Sequence, residues 1–162
     1  MSKLKENKQF NLIGHLTNIL VKYDNICPKD CTYCEYKELM ILLPGEERYW
    51  NYSNERLKKF HFFKGYYYLE SKNEPCPFFR DKYCDVYEKR SIDCRIFPFF
   101  LVFNIEEKSF IIEKAGKYCP IVNQLPTGFE EDVIKACEII NKEVPEDWKL
   151  LYNKTNLTPS LI

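Results

Sequence analysis

Apolar residues recur at helical spacing near both ends of this chain, and the middle is broken into short runs. Between Phe10 and Lys22, Leu12, Ile13, Leu16, Ile19 and Leu20 share one face, which predicts a short amphipathic helix with Gly14 as its weak point. Gly128 to Glu143 carries the clearest helical signal. Phe129, Val133, Cys137, Ile140 and Val144 fall on one stripe, acidic residues crowd the first turn where the helix dipole favours them, and Pro145 ends the run. One more short helical piece is expected around Trp148 to Tyr152.

In the middle, the brief apolar run Leu39 to Leu43 leads into Pro44-Gly45, a turn, and then Glu46-Glu47, an acidic first turn for a helix expected from about Glu46 to Phe60. Gly65 to Leu69, with three consecutive tyrosines, has strand composition, and Asp85 to Arg90 suits one helical turn. The runs FFLVFNI and SFIIEKA flank Glu106-Glu107-Lys108 and predict a β-hairpin. The expected fold is α+β: one small domain over residues 1–162, with several helices and a small antiparallel sheet or hairpin organised around cysteine-rich loops. The metal-binding region would span about 27–120 and a C-terminal helical part 128–162.

Composition supports one packed unit. A chain of 162 residues with 45% hydrophobic and 16% aromatic residues can bury a sizeable core, so disorder is excluded. Lys plus Arg and Asp plus Glu both number 24, which leaves no net field to attract nucleic acid. Lys58, Lys59 and Lys64 lie close together, but such a run is ordinarily a solvated face, and no function attaches to it. The N-terminal stretch lacks a continuous apolar signal region, and no stretch is apolar enough for a membrane span, so a soluble, cytoplasmic protein is expected.

Cysteine usage changes the picture most. Eight cysteines in a reducing compartment are poorly explained by disulfides, and metal ligation accounts for them better. In CPKDCTYC, Cys27, Cys31 and Cys34 stand at C-x3-C-x2-C spacing, close enough for one compact loop to turn three sulfurs toward a point. Cys76, Cys84, Cys94 and Cys119 supply four more thiolates, enough for a tetrahedral zinc site or a cubane cluster. Thiolates are soft donors that select zinc, Cu(I) or iron–sulfur clusters over hard ions. Proline directly after Cys27, Cys76 and Cys119 restricts those loops. Cys137 is set apart as a core residue, because it sits on the apolar stripe of its helix.

These motifs resemble the YkgJ-type cysteine-cluster family, described as a zinc- or iron-chelating domain. The resemblance runs from about Cys27 to Pro120: an N-terminal cysteine cluster, LLPGEE, then CPFF followed by CDVYEKR and CRIFPF, and a late Cys-Pro. Three departures stand out. The first cysteine gap is x3 in place of x2, Cys34-Glu35 replaces an adjacent cysteine pair, and Arg90-Ser91 replaces Arg-Pro, so the ligand count stays open. The resemblance implies metal binding and names no common reaction. A relative with a similar domain, flagellin lysine-N-methylase, suggests protein methylation somewhere in the wider group.

Three readings follow. In the first, Cys76, Cys84, Cys94 and Cys119 hold an iron–sulfur cluster, 4Fe-4S in form, while Cys27, Cys31 and Cys34 form a second, open site completed by water, substrate or Glu35; the role is redox or cluster-dependent catalysis. In the second, zinc stabilises an interaction module. Its weakness is spacing: the later cysteines stand 8, 10 and 25 positions apart (76 to 84, 84 to 94, 94 to 119), unlike paired zinc knuckles. The third is radical S-adenosylmethionine chemistry, which CPKDCTYC resembles locally, although the chain lacks the strand–helix succession of a partial barrel.

Arg90 and Arg95 flank Cys94 and are candidate cofactor-binding groups, able to donate hydrogen bonds to cluster sulfurs or an anion; ion pairing with Asp85 or Glu88 is the alternative. His15 and His61, the only histidines, are expected to be packed or partly exposed and not ligands. Hydrolase and phosphate-loop motifs are absent. No substrate, catalytic residue or partner can be named, with a redox or protein partner left open.

Overall fold

The amphipathic N-terminal segment forms α1, Lys3–Leu20, continued by one 3-10 turn at Val21–Tyr23. Ile13, Leu16 and Leu20 are buried on its inner face, as their spacing predicts. Gly14 lies where a Cβ would stand 3.4 Å from the Tyr49 hydroxyl, so the weak helix former also admits a packed neighbour. The structure is a computed structural model that describes residues 3–24, 26, 39–70, 74–81, 83–115, 119 and 121–156.

The apolar run after the first cysteine segment becomes β1, Leu39–Ile41. Its side chains alternate between two clusters: Ile41 and Leu43 enter the larger core, and Met40 and Leu42 enter a smaller one. A strand buried on both faces needs a continuous apolar run, which is what the sequence supplies there.

The helix expected over Glu46 to Phe60 is instead two single-turn helices, α2 at Glu46–Tyr49 and α3 at Asn54–Leu57. Asn51, at φ 51, leaves helical geometry in a conformation that asparagine tolerates. Ser53 then caps α3, accepting from the Arg56 N–H at 3.3 Å. The break lets Tyr52 drop into the smaller cluster, where its hydroxyl donates to the Lys89 carbonyl.

β2, His61–Phe63, and β3, Tyr66–Glu70, follow as a hairpin, and β3 pairs on its other side with β1, giving an antiparallel sheet of order β1-β3-β2. Met40 stands opposite Leu69 and Phe62 opposite Tyr67. A two-residue ladder joins β4, Phe79–Arg80, to β5, Tyr83–Cys84. A 3-10 turn at Tyr87–Lys89 matches the turn expected over Asp85 to Arg90 and precedes α4, Ile92–Arg95.

The predicted hairpin forms as β6, Phe99–Asn104, against β7, Ser109–Lys114. Strand β6 alternates buried and half-buried positions along its length, the mark of a sheet with one face on the core. α5, Phe129–Glu143, buries Phe129, Val133, Cys137 and Ile140 in the larger core with Val144 just beyond, and α6, Glu146–Asn156, adds Trp148 and Tyr152. The Trp148 indole N–H donates to the Leu42 carbonyl at 2.9 Å, tying α6 to the chain after β1. The fold is α+β, as the element pattern predicts. Among the described residues no helix is long and apolar enough to cross a membrane.

Candidate metal centre

The best fixed of the candidate ligands is Cys94, because α4 is held at several points. Ser91 caps the helix, its hydroxyl accepting from the Cys94 N–H at 3.2 Å. Glu46, fully buried, reaches across from α2. Its Oε1 accepts from the Ile92 N–H at 2.7 Å and the Trp50 indole at 3.3 Å, and its Oε2 accepts from the Leu43 N–H at 2.8 Å. Burial pushes this carboxyl up to about 7, against the lowering effect of those donors. Tyr152 completes the frame, donating at 2.6 Å to Asp93 of the same helix.

Cys76 and Cys84 bracket the β4–β5 ladder. The Phe79 N–H donates to the Cys76 carbonyl at 2.9 Å, and Cys84 stands opposite Phe79. Asp81 makes the turn at φ 49, a conformation aspartate accepts more readily than most residues. Burial pushes the Cys84 thiol up to about 11; the Val86 N–H and Arg90 oppose this, and the neighbouring Cys94 and Cys76 thiols add to it. Cys76, Cys84 and Cys94 therefore share one neighbourhood, all packed on the cluster of Met40, Leu42, Tyr52, Phe60, Leu69, Phe78 and Val86. The Cys94 thiol also meets the Met40 thioether, Sγ to Sδ 3.2 Å.

Cys119 is buried, but it is not among the residues packed on that cluster. Cys27, Cys31 and Cys34, with Glu35, lie outside the described residues. Among the described residues no group of three or more His, Cys, Asp or Glu side chains is placed so that it could hold a metal ion. What the described residues do bring together is three cysteines, Cys76, Cys84 and Cys94, on one apolar cluster.

Arg90 and Arg95 flank Cys94 as the sequence shows, and their guanidinium groups converge on Asp24. Arg95 Nη1 donates to both Asp24 oxygens at 2.8 and 2.7 Å, and Arg90 Nη2 donates to one of them at 2.7 Å. Backbone carbonyls take further donors: Arg95 binds those of Glu88 and Arg90, and Arg90 binds that of Tyr87. The carboxylate partner is thus Asp24, not Asp85 or Glu88. Asp85 pairs with Arg80 on the surface.

Cys137 sits in the larger core with its sulfur 3.8 Å from the Phe110 carbonyl, and burial pushes its thiol up to about 11. Both histidines are exposed, with the His61 ring tilted over Tyr68. The lysines singled out in the sequence have local partners: Lys58 pairs with Glu55, Lys59 donates to the Pro77 carbonyl, and Lys64 lies over the Phe63 ring.

Sequence reasoning missed Met40, Glu46 and Asp24. Met40 looked like part of an apolar run and Glu46 like an ordinary acidic first turn. The contacts that distinguish them come from residues 54 and 46 positions away. Searches of known protein families, of characterised proteins and of solved structures return no match to this chain.

Proposed function

We propose that this protein binds a thiophilic metal centre through its cysteines, an iron–sulfur cluster of 4Fe-4S type, and uses it in a redox or cluster-dependent reaction. The supporting observation is convergence: Cys76, Cys84 and Cys94, from a turn, a strand end and a helix, pack on one cluster. Both described ends of the segment that carries Cys27, Cys31 and Cys34 also lead to α4. Asp24, three positions before Cys27, is bound by Arg90 and Arg95, and Met40, six positions after Cys34, touches Cys94. That geometry favours gathering the cysteine groups at one locus. The resemblance to the YkgJ-type family and a reducing cytoplasmic setting accord with it.

In this reading Cys76, Cys84 and Cys94 are ligands, with Cys119 and the three early cysteines filling the remaining positions. Arg90 and Arg95 act by holding Asp24 and so positioning the chain that enters the first cysteine segment. A bound cluster supplies electron transfer or an iron site; the protein supplies thiolates and an apolar wall.

The test is anaerobic purification followed by iron, acid-labile sulfide and zinc analysis. Iron and sulfide in proportion, with broad absorbance near ~400 nm, is the expected result. Zinc without sulfide would favour the interaction-module reading, and absence of iron, zinc and sulfide alike would remove the proposal.

A further inference from the structure

We infer that the cleft between Arg56 and residues 83–89 binds a small zwitterion carrying one planar ring, the chemistry of a free aromatic amino acid. The inference goes beyond the metal proposal and does not rest on it, since no cysteine or metal ion is asked to touch the ligand.

The cleft encloses about 320 Å³ and is lined by Arg56, Tyr83, Asp85, Tyr87, Glu88 and Lys89. Val86, buried in the smaller core cluster, gives it a fixed wall. Small-molecule sites run from about 300 to about 1,000 Å³, so this one suits a single ring with a short polar arm and is too small for a dinucleotide.

Two tyrosines supply a place for the ring. The Tyr83 and Tyr87 rings lie 27° from parallel with centroids 6.4 Å apart, and Tyr83 is 60% exposed. A third ring between two others separates them by about 7 Å, twice the contact distance of carbon atoms, so a small rotation of exposed Tyr83 admits one. Tyr87 is held more firmly. The Arg90 guanidinium lies 3.8 Å from its ring centroid, and Arg90 is itself bound to the Tyr87 carbonyl and to Asp24.

Charged side chains supply partners for the polar arm. Arg56 is half-buried with its guanidinium 4.8 Å from the centre of the Tyr52 ring, and the Tyr52 hydroxyl donates to the Lys89 carbonyl. One buried side chain thus braces both Arg56 and the Lys89 backbone. Among the described residues Arg56, Lys89 and the Glu88 carboxylate form no ion pair, whereas nearby Lys58 pairs with Glu55 and Asp85 with Arg80. Unpaired charge of both signs beside two stacked rings is complementary to a ringed molecule with a carboxylate for Arg56 and Lys89 and an ammonium for Glu88.

The test is calorimetric titration of the full-length, anaerobically purified protein with L-phenylalanine. A dissociation constant of about 1 mM or tighter is expected, and no saturable heat up to about 10 mM overturns the inference. Phenylpropanoate lacks the ammonium and phenylethylamine the carboxylate, so each should bind at least about ten-fold more weakly. Either one binding as tightly as L-phenylalanine overturns the zwitterion assignment. Cyclohexylalanine keeps both charges without a planar ring and should bind about five-fold more weakly. Equal affinity for it overturns the stacking between the tyrosines.

Variants locate the binding in this cleft. Arg56→Gln should weaken L-phenylalanine binding by at least about ten-fold, and Tyr83→Ala, which removes a largely exposed ring, by about five-fold. Lys58→Ala, outside the cleft, should stay within about two-fold of wild type. Wild-type affinity in a folded Arg56→Gln or Tyr83→Ala protein overturns the site. Iron and sulfide content is not part of the readout, so failure here leaves the metal proposal standing.

Discussion

Asp24 and Arg95 form a buried two-point ion pair: one guanidinium nitrogen binds both carboxylate oxygens, and the Arg95 side chain is 2% exposed. Arg90 adds a third charge-assisted hydrogen bond to the same carboxylate. Removing the carboxylate charge strands two guanidinium groups beside each other, so Asp24→Asn should destabilise the protein by roughly 3 kcal/mol. The exposed Lys58–Glu55 pair is the contrast, and Lys58→Ala should cost no more than about 0.5 kcal/mol. Urea unfolding of both variants checks the difference. Equal costs would mean that the buried pair contributes no more than a surface one.

Glu46 should make stability depend on pH. Burial raises its carboxyl from 4.5 to about 7, so the folded protein holds that proton more tightly than the unfolded chain. The sign follows from linkage: this group's stabilising contribution is full below pH 4.5, is lost as pH rises to about 7, and is flat above. The change amounts to roughly 3 kcal/mol over that window. Glu46→Gln cannot titrate, so its stability measured by urea unfolding from pH 5 to pH 8 should lack this decline. Parallel pH curves for the two proteins would refute the assignment.

Two cysteines of similar thiol pKa should behave oppositely towards metal. Cys84→Ser removes a thiolate from the group around Cys94 and should lower bound metal by half or more. Cys137→Ala removes a sulfur packed in the larger core near Phe110; it should cost about 1 kcal/mol and leave the metal content unchanged. Metal analysis of both proteins after anaerobic purification decides this. Loss of metal in Cys137→Ala at normal folding would return that residue to the ligand set.

Tyr152 should matter through its hydroxyl. It donates at 2.6 Å to Asp93 across 59 positions of sequence, in a buried setting that ties α6 to the helix bearing Cys94. Tyr152→Phe keeps the ring and deletes the donor, so a loss of about 1–3 kcal/mol and a melting temperature lowered by several degrees are expected. If calorimetry shows no change, water or another donor has replaced the hydroxyl.

The legible parts of this fold are those with a long enough period. The stripe Phe129, Val133, Cys137 and Ile140 marked α5 and its buried cysteine, and two β-branched and aromatic runs around an acidic turn marked the β6–β7 hairpin, because side-chain periodicity is set locally. The stretch after Glu46 was not legible in the same way. Its composition suits one helix, but Asn51 and the Ser53 cap divide it, and the reward for dividing it is the burial of Tyr52 among residues distant in sequence.

The sequence by itself determined the α+β composition, the apolar run after the first cysteine segment, the core role of Cys137 and the supply of soft sulfur donors, since these depend on residue type and local spacing. Tertiary structure alone decided which of those sulfurs meet and what holds them. Only packing could set Met40 against Cys94, aim the Glu46 carboxylate at the N–H of Ile92, and turn Arg90 and Arg95 onto Asp24. The physical reason is shared by all three: each contact joins groups 46 to 71 positions apart, where no local period carries information about the partner.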